Sequence, residues 1–332
     1  MNKKVLTISI AAYNVENYLR KTIDSLLIGD ETLRKIEILI EDDGSKDNTG
    51  IIGAEYEKRY PHSIKLVSKE NGGYGSTINA SIEIAHGKYF KQLDGDDWYK
   101  TENLVNFVEY LESCEADVVL SPFFEVREPD MIEEFIDNHS KIPKEKISLE
   151  ICSFDEDVLM HEMTIRTDLL RTSKIKISEK CFYTDNEYTF LPLLQAITVS
   201  KFGSPVYCYR LGREGQSVSL AGVRKHYKDT LVVARKMFEN YTKYGLSTVE
   251  CKKSILETRI LKISDIVYGT YAVLEDKRLA QCELKSFDKE IKNKYKEIYE
   301  LTNKNKKIRF MRMMKFSMLA IKYVEKIRIK QF

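Results

Sequence analysis

The chain is poor in the features that staple a small fold or anchor one in a membrane. Its six cysteines (Cys114, Cys152, Cys181, Cys208, Cys251 and Cys282) stand far apart, with no CxxC pair and no zinc-like spacing. The pattern suits free thiols in a reducing cytosol better than a disulfide framework. No apolar run approaches the roughly 20 residues that span a bilayer. The opening MNKKVLTISIAAYN carries two lysines before an apolar run, as a leader would. That run, Val5 to Tyr13, leads directly into Asn14, Glu16 and Asn17, so it reads as a first strand. There is no internal repeat and no long Gly/Ser/Pro linker, and beyond about Gly222 there is no proline. NGGYGS lacks GxGxxG and follows a third strand, which removes a dinucleotide fingerprint.

What is present suffices for one large core or two smaller ones: 332 residues, 43 % hydrophobic and 31 % charged. The net charge of +2 hides an asymmetry. Residues 304–330 hold ten Lys/Arg and one acid, a local +9, which leaves −7 for the remainder.

The first 120 residues alternate strand and helix patterns. Val5–Ala11, Ile36–Ile40, Ile64–Val67, Tyr89–Leu93 and Asp117–Ser121 read as strands. Between them, Val15, Tyr18, Leu19, Thr22, Ile23, Leu26 and Leu27 keep a helical period. Further helices are expected after Asp47 or Asn48, from NGGYGS to a stop at Gly87, and from a cap at Thr101. Repeated βα units imply a mainly parallel sheet with right-handed crossovers. Between 122 and 200 the pattern weakens, with a helix at 185–195 and a strand over Val199–Tyr209. Residues 1–221 are expected to form an α/β domain and 222–332 a helical C-terminal region.

Ligands of open α/β sheets bind beyond the carboxyl ends of the strands. AAYN (11–14), EDDGS (41–45), NGGYGS (71–76) and DGDDW (94–98) should all lie there. A lone Asp after a strand ordinarily caps the next helix. Asp94 and Asp96 together need another reason, because adjacent carboxylates repel unless a cation shares their site. Two carboxylates flanking a glycine suit a hard divalent ion, and Gly95 permits the tight turn. For Glu41 and Asp42, loop polarity and capping are the better reading.

Four segments taken in order over residues 4–220 resemble the family 2 glycosyltransferases of GT-A type: TISIAAYN, IEILIEDDGSKDNT, NGGYGSTINASIEIAHGKYFKQLDGDD, and YTDNEYTFLPLL followed by PVYCYRLGREGQSVS. The resemblance implies a Rossmann-like GT-A fold and sugar transfer from a nucleoside-diphosphate donor. It also implies that Ala11 and Tyr13 line the base pocket, Tyr13 stacking on a uracil. Asp43 would accept from the base, Asn71 and Gly72 would border the nucleoside, and Asp94 would face the ribose or donor sugar. Asp96 would bind Mn²⁺ or Mg²⁺ across the diphosphate. Ala11 stands where the family often has proline, and Ile78 where it often has Arg or Lys, which removes one anion contact.

An inverting transfer needs a carboxylate to take the acceptor hydroxyl's proton. The family's motif matches YTDNEY, so Asp185 is the expected base at a helix N-terminus, whose dipole keeps it ionised. Glu187 is the alternative on the same turn. In YRLGREGQSVS, Arg210 or Arg213, with Gln216 and Ser217, would close on the diphosphate. His226, a lone histidine, is left out of the metal site.

The basic tail carries Phe310, Met314, Ile321 and Val324 on one helical stripe, with Arg312, Lys315, Lys322 and Lys326 opposite. Such a helix suits an anionic membrane surface, and packing on a core is the rival reading. No nucleic-acid module is present. The expected enzyme is thus a cytoplasmic, peripheral, metal-dependent glycosyltransferase extending a glycan or lipid-linked acceptor for cell-surface polysaccharide. Two other classes fit the motifs less well. A sugar nucleotidyltransferase would need a Gly-rich, cationic loop after the first strand, and AAYNVENY is neither. A non-catalytic nucleotide-sugar-binding module is at odds with intact DGDD and TD motifs.

Overall fold

The computed structural model describes residues 3–152, 154, 156–212 and 219–330. The chain divides into two compact units, Met1–Arg213 and Glu214–Phe332. The first opens with β1 (Leu6–Ala12), α1 (Glu16–Asp24), α2 (Asp30–Leu33), β2 (Ile36–Asp42), α3 (Thr49–Arg59), β3 (Ile64–Ser68), α4 (Tyr74–Ile84) and β4 (Tyr89–Asp94). β1, β2 and β4 are buried along almost their whole length, as strands covered by helices on both faces must be. Next come β5 (Trp98–Tyr99), α5 (Thr101–Ser113), β6 (Val118–Leu120), β7 (Phe123–Arg127), β8 (Ile132–Ile136) and β9 (Ile147–Ser148). β10 (Met163–Arg166), α6 (Thr167–Thr172), α7 (Asp185–Gln195), β11 (Thr198–Lys201) and β12 (Tyr207–Leu211) complete the unit.

An eight-stranded sheet runs in the order β3-β2-β1-β4-β10-β6-β11-β9, and a four-stranded sheet in the order β5-β12-β7-β8. β1 pairs in parallel with both β2 and β4, which sets Ala11 beside Asp94 and Ala12 beside Asp42. β10 enters antiparallel between β4 and β6. The expected single strand over Val199–Tyr209 is two strands in different sheets, β11 pairing with β6 and β12 with β7.

Three local expectations are corrected. Thr101 does not cap α5, since its hydroxyl donates to the Ser25 carbonyl (2.9 Å). Gly87 is not the stop of α4, whose C-terminal cap is the extended Ala85. Gly87 is required instead because a Cβ there would lie 2.3 Å from the Thr7 nitrogen. Glu41 is not loop polarity: it ends β2 wholly buried, with Oε1 accepting from Ser81 (2.6 Å) and Oε2 unpartnered. Burial pushes its carboxyl up to about 7.

The second unit is helical: α8 (Leu220–Lys225), α9 (Asp229–Asn240), a π-helical turn (Tyr241–Gly245), α10 (Glu250–Ala272), α11 (Lys277–Lys294), α12 (Lys296–Thr302), α13 (Lys306–Met313) and α14 (Met318–Ile329). Asp276 and Asn305 begin α11 and α13 by accepting from two backbone amides each, which satisfies donors every helix start leaves over. The tail stripe expected to meet lipid is largely internal, because Ile321 and Val324 are buried where α14 packs on α10 and α11. Arg312 is half-buried. It donates to Asp288 (2.7 Å) and lies 3.9 Å from the Tyr299 ring centroid. The exposed side of α14 carries Lys322 and Lys326 together with Leu319 (70 % exposed) and Tyr323 (53 %). No helix among the described residues is long and apolar enough to cross a membrane.

Candidate active site

β1, β2 and β4 end side by side, and their loops are laced together at the rim. Asn14 at the end of AAYN donates its backbone N–H to Ser45 Oγ (3.0 Å) and accepts from the Lys46 amide (2.8 Å). Asp42 accepts from the Ser45 amide (3.0 Å), so this acid shapes its own turn. Tyr13 stands 47 % exposed at the end of the strand.

Asp43 is buried and holds the next loop. Its carboxylate accepts from the Gly72 (2.9 Å) and Gly73 (2.8 Å) amides and from Lys69 Nζ. Asn71 Nδ2 donates back to the Asp43 carbonyl (2.9 Å). Asp43, Asn71 and Gly72 therefore form one hydrogen-bonded cluster. Ile78, in the first turns of α4, is wholly buried and offers no cation there.

In DGDD, ligand atoms of Asp94, Asp96 and Asp97 all lie within 4.8 Å of one another. The three acids do different work. Asp97 is turned inward and buried, Oδ2 accepting from Tyr207 OH (2.6 Å) and Oδ1 from the Arg210 amide (2.7 Å). Burial first, then the charges of Asp94 and Asp96, push its carboxyl well above the ordinary range. Asp94 and Asp96 are only half-buried. Gly95 is needed for closeness: a Cβ would meet the Ala11 carbonyl at 2.8 Å, and its N–H donates to that same oxygen (3.0 Å). Clustered, half-buried carboxylate oxygens suit a hard divalent ion, with Asp94 and Asp96 as the residues able to hold it.

Arg210 is placed otherwise than the sequence suggested. Its guanidinium is not turned to a diphosphate; it is buried, with Nε donating to the Asp96 carbonyl (2.7 Å) and Nη1 paired with Glu128. It also lies 4.9 Å from the Trp98 ring centroid and 4.8 Å from that of Tyr18. β12 pairs with β5 just after the motif, so a strand more than a hundred residues away buttresses DGDD. Arg213, Gln216 and Ser217 lie outside the described residues.

Asp185 is the first residue of α7, where the helix dipole favours a carboxylate. Its charge reaches Tyr74 and Tyr209, whose phenols burial and the charge of Asp94 also hold well above their ordinary value. Asp185 and Asp94 thus act on the same two rings. Glu187 does not share this setting: it is wholly buried and accepts from the Ser178 amide (2.8 Å). His226 belongs to the second unit, its Nδ1 3.6 Å from Asp229. Tyr74, Tyr207 and Lys91 went unread in the sequence. Lys91 is buried in β4, donates to the carbonyls of His161 (2.9 Å) and Met163 (3.2 Å), and is pulled down to about 7 by burial. No local pattern marks any of the three, since each acts through a partner distant in sequence.

The profile described as "Glycosyl transferase family 2" matches residues 7–169, which hold β1 to β10 and the DGDD rim. Residues 7–169 belong to glycosyl transferase family 2. Within that family the chain is 25 % identical to EpsH of Bacillus subtilis over 263 residues, 77 % of this chain and 70 % of EpsH. It is 30 % identical to the glycosyltransferase GlyA of Streptococcus pneumoniae over 125 residues, 38 % of this chain and 18 % of GlyA. Matches to several other bacterial glycosyltransferases likewise cover less than two thirds of those proteins. Among solved structures, residues 1–349 of S. aureus TarS with UDP-GlcNAc superpose with a TM-score of 0.69 at 17 % identity, over 98 % of this chain and 92 % of that one. The mannosyltransferase PcManGT of Pyrobaculum calidifontis, with GDP-Man and Mn²⁺, gives 0.53 at 14 % identity, over 98 % and 88 %. The chain's fold is of GT-A type, with a central sheet of mixed parallel and antiparallel strands flanked by helices and a helical C-terminal region.

Proposed function

We propose that the chain transfers a sugar, with inversion, from a UDP-sugar to a hydroxyl of a glycan or lipid-linked acceptor in cell-surface polysaccharide synthesis. The observation that carries this reading is the division of labour in DGDD. One acid is tied inward, while two half-buried acids meet at the rim of β4, beside the loops of β1 and β2. Support comes also from the similar proteins, since the TarS structures hold UDP-GlcNAc or UDP and a B. subtilis relative is named for minor teichoic acid biosynthesis.

In this reading Tyr13 stacks on the base with Ala11 beside it, while Asp43 fixes the Asn71–Gly72 edge of the base pocket. Asp94 faces the ribose or donor sugar. Asp96 holds Mn²⁺ or Mg²⁺, which when bound supplies countercharge to the diphosphate. Asp185 accepts the proton of the acceptor hydroxyl as its oxygen bonds to the anomeric carbon and the bond to the diphosphate breaks. By their place in the sequence motif, Arg213, Gln216 and Ser217 are the residues proposed to bind that diphosphate. The exposed lysines of α14, with Leu319 and Tyr323, would bring the protein to the anionic inner face of a membrane.

The test is hydrolysis of UDP-sugars by the purified chain with and without Mn²⁺. Asp96→Ala and Asp185→Ala should each lower turnover by at least about 100-fold. Wild-type turnover in both variants would refute the assignment. UDP binding without turnover on any acceptor would favour the non-catalytic module.

A further inference from the structure

Lys69 directly follows β3, and its backbone N–H donates to the Asp42 carbonyl (3.1 Å), so the end of β3 is tied to that of β2. Its side chain crosses to the NGG loop. Nζ pairs with Asp43 Oδ1 and donates to Ser76 Oγ (2.5 Å) in the first turn of α4. Ser76 gives its own proton to the Gly73 carbonyl (2.6 Å), so toward Lys69 it is an acceptor. An ammonium has three protons to donate. Two are placed, and one is left over.

The two members of the pair are not equally accessible. The Asp43 side chain is 4 % exposed and also accepts from the Gly72 and Gly73 amides, whereas the Lys69 side chain is 21 % exposed. Lys69 is therefore the member that a ligand can reach. Stability alone is a weak reason for a cation here. A helix N-terminus disfavours positive charge, and two backbone amides already serve the carboxylate. Ile78, further along the same helix, is buried and brings no cation of its own.

We propose that Lys69 reads the base of the nucleotide. Its remaining N–H donates to a keto oxygen of the uracil, and Asp43 stands behind it as countercharge. The polar contact with the base that the motif suggested for Asp43 thus falls to Lys69. A group that only donates favours a base edge with a carbonyl, and adenine has none. This role rests on the reading of Asn71 and Gly72 as the edge of the base pocket.

UDP and ADP, each with Mn²⁺, are titrated calorimetrically into the whole chain. The diphosphate is common to both, so the ratio of their affinities isolates the base. Wild type should prefer UDP by at least about tenfold, the effect of one hydrogen bond from a charged donor. Lys69→Met keeps most of the stem without the ammonium. It should bind UDP about tenfold more weakly and ADP nearly unchanged, so that the preference largely disappears. Lys69→Gln, should the methionine variant fold poorly, retains an N–H donor and should keep part of it. A fold loosened at Asp43, or an ammonium that serves the diphosphate, would weaken both nucleotides alike. An unchanged ratio in Lys69→Met, or a wild type that binds ADP as tightly as UDP, overturns the proposal and leaves the reading of the metal and diphosphate intact. A wild type that takes neither nucleotide overturns both.

Discussion

Replacing Arg210 by alanine is the sharpest test of how DGDD is held. The guanidinium donates to the Asp96 carbonyl at 2.7 Å, pairs with Glu128, and faces the rings of Trp98 and Tyr18. A hydrogen bond from a charged donor is worth about 1.5–3 kcal/mol, and each ring contact about 0.5–1 kcal/mol. The Glu128 side chain keeps 28 % of its exposure, so water softens the loss of its partner and the ion pair adds little. Together these give roughly 2.5–5 kcal/mol for the first unit, close to the cost of breaking a buried pair. The assay is built in, because Trp98 is the only tryptophan of the chain and also lies 3.3 Å from Lys21 Nζ. Urea unfolding followed by its fluorescence reports on this corner directly. Arg210→Ala should bring the midpoint down sharply and weaken Mn²⁺-dependent UDP binding about tenfold, as the Asp96 backbone loses its anchor. Arg210→Lys keeps the charge without the planar fork and should fall between. An unchanged midpoint and unchanged emission in Arg210→Ala would refute the reasoning.

Other outcomes follow from the same geometry. The Glu41 carboxyl titrates near 7 in the fold against 4.5 when exposed, so the folded state keeps a proton that the unfolded chain releases. Stability is therefore lost as pH rises between those values, by about 3 kcal/mol at pH 8. Glu41→Gln, which still accepts from Ser81, should raise the melting midpoint at pH 8 and leave it nearly unchanged at pH 5; equal shifts at both would contradict this. Gly75→Ala places a Cβ 2.0 Å from the Ser178 carbonyl, so backbone must move. Its expected cost of at least about 1–3 kcal/mol is measurable by thermal melting. Lys322→Glu with Lys326→Glu should abolish sedimentation with phosphatidylserine vesicles at low salt while leaving the melting midpoint unchanged; retained sedimentation would remove α14 as the contact.

Much of the fold was legible because β1 to β4 are local. β1, β2 and β4 are short buried runs, a helix follows each strand within a dozen residues, and the period of 3.6 is clear in α1 and α5. The Asp185–Gln195 helix also showed in the sequence, through its acidic start. Legibility failed where a residue answers to a distant partner. Arg210 looked like a phosphate ligand because an arginine in a glycine-bearing loop gives no sign that it will be buried under Trp98. Glu41 looked like loop polarity because its burial depends on α4 crossing over it. The stripe through Ile321 and Val324 fits a lipid surface and a helical core equally well, and only the presence of α10 and α11 decides for the core. β10 reads poorly because it is four residues long and enters antiparallel between strands from elsewhere in the chain.

The central claim is that the acids of DGDD gather at the rim so that Asp96 can hold a divalent ion against a nucleoside diphosphate while Asp94 faces the donor. Calorimetric titration of UDP into the chain, in Mn²⁺ and again in EDTA, tests it most directly. Binding in Mn²⁺ that weakens at least about tenfold in EDTA, and equally in Asp96→Ala, is the predicted result. Affinity indifferent both to the metal and to Asp96 would contradict it.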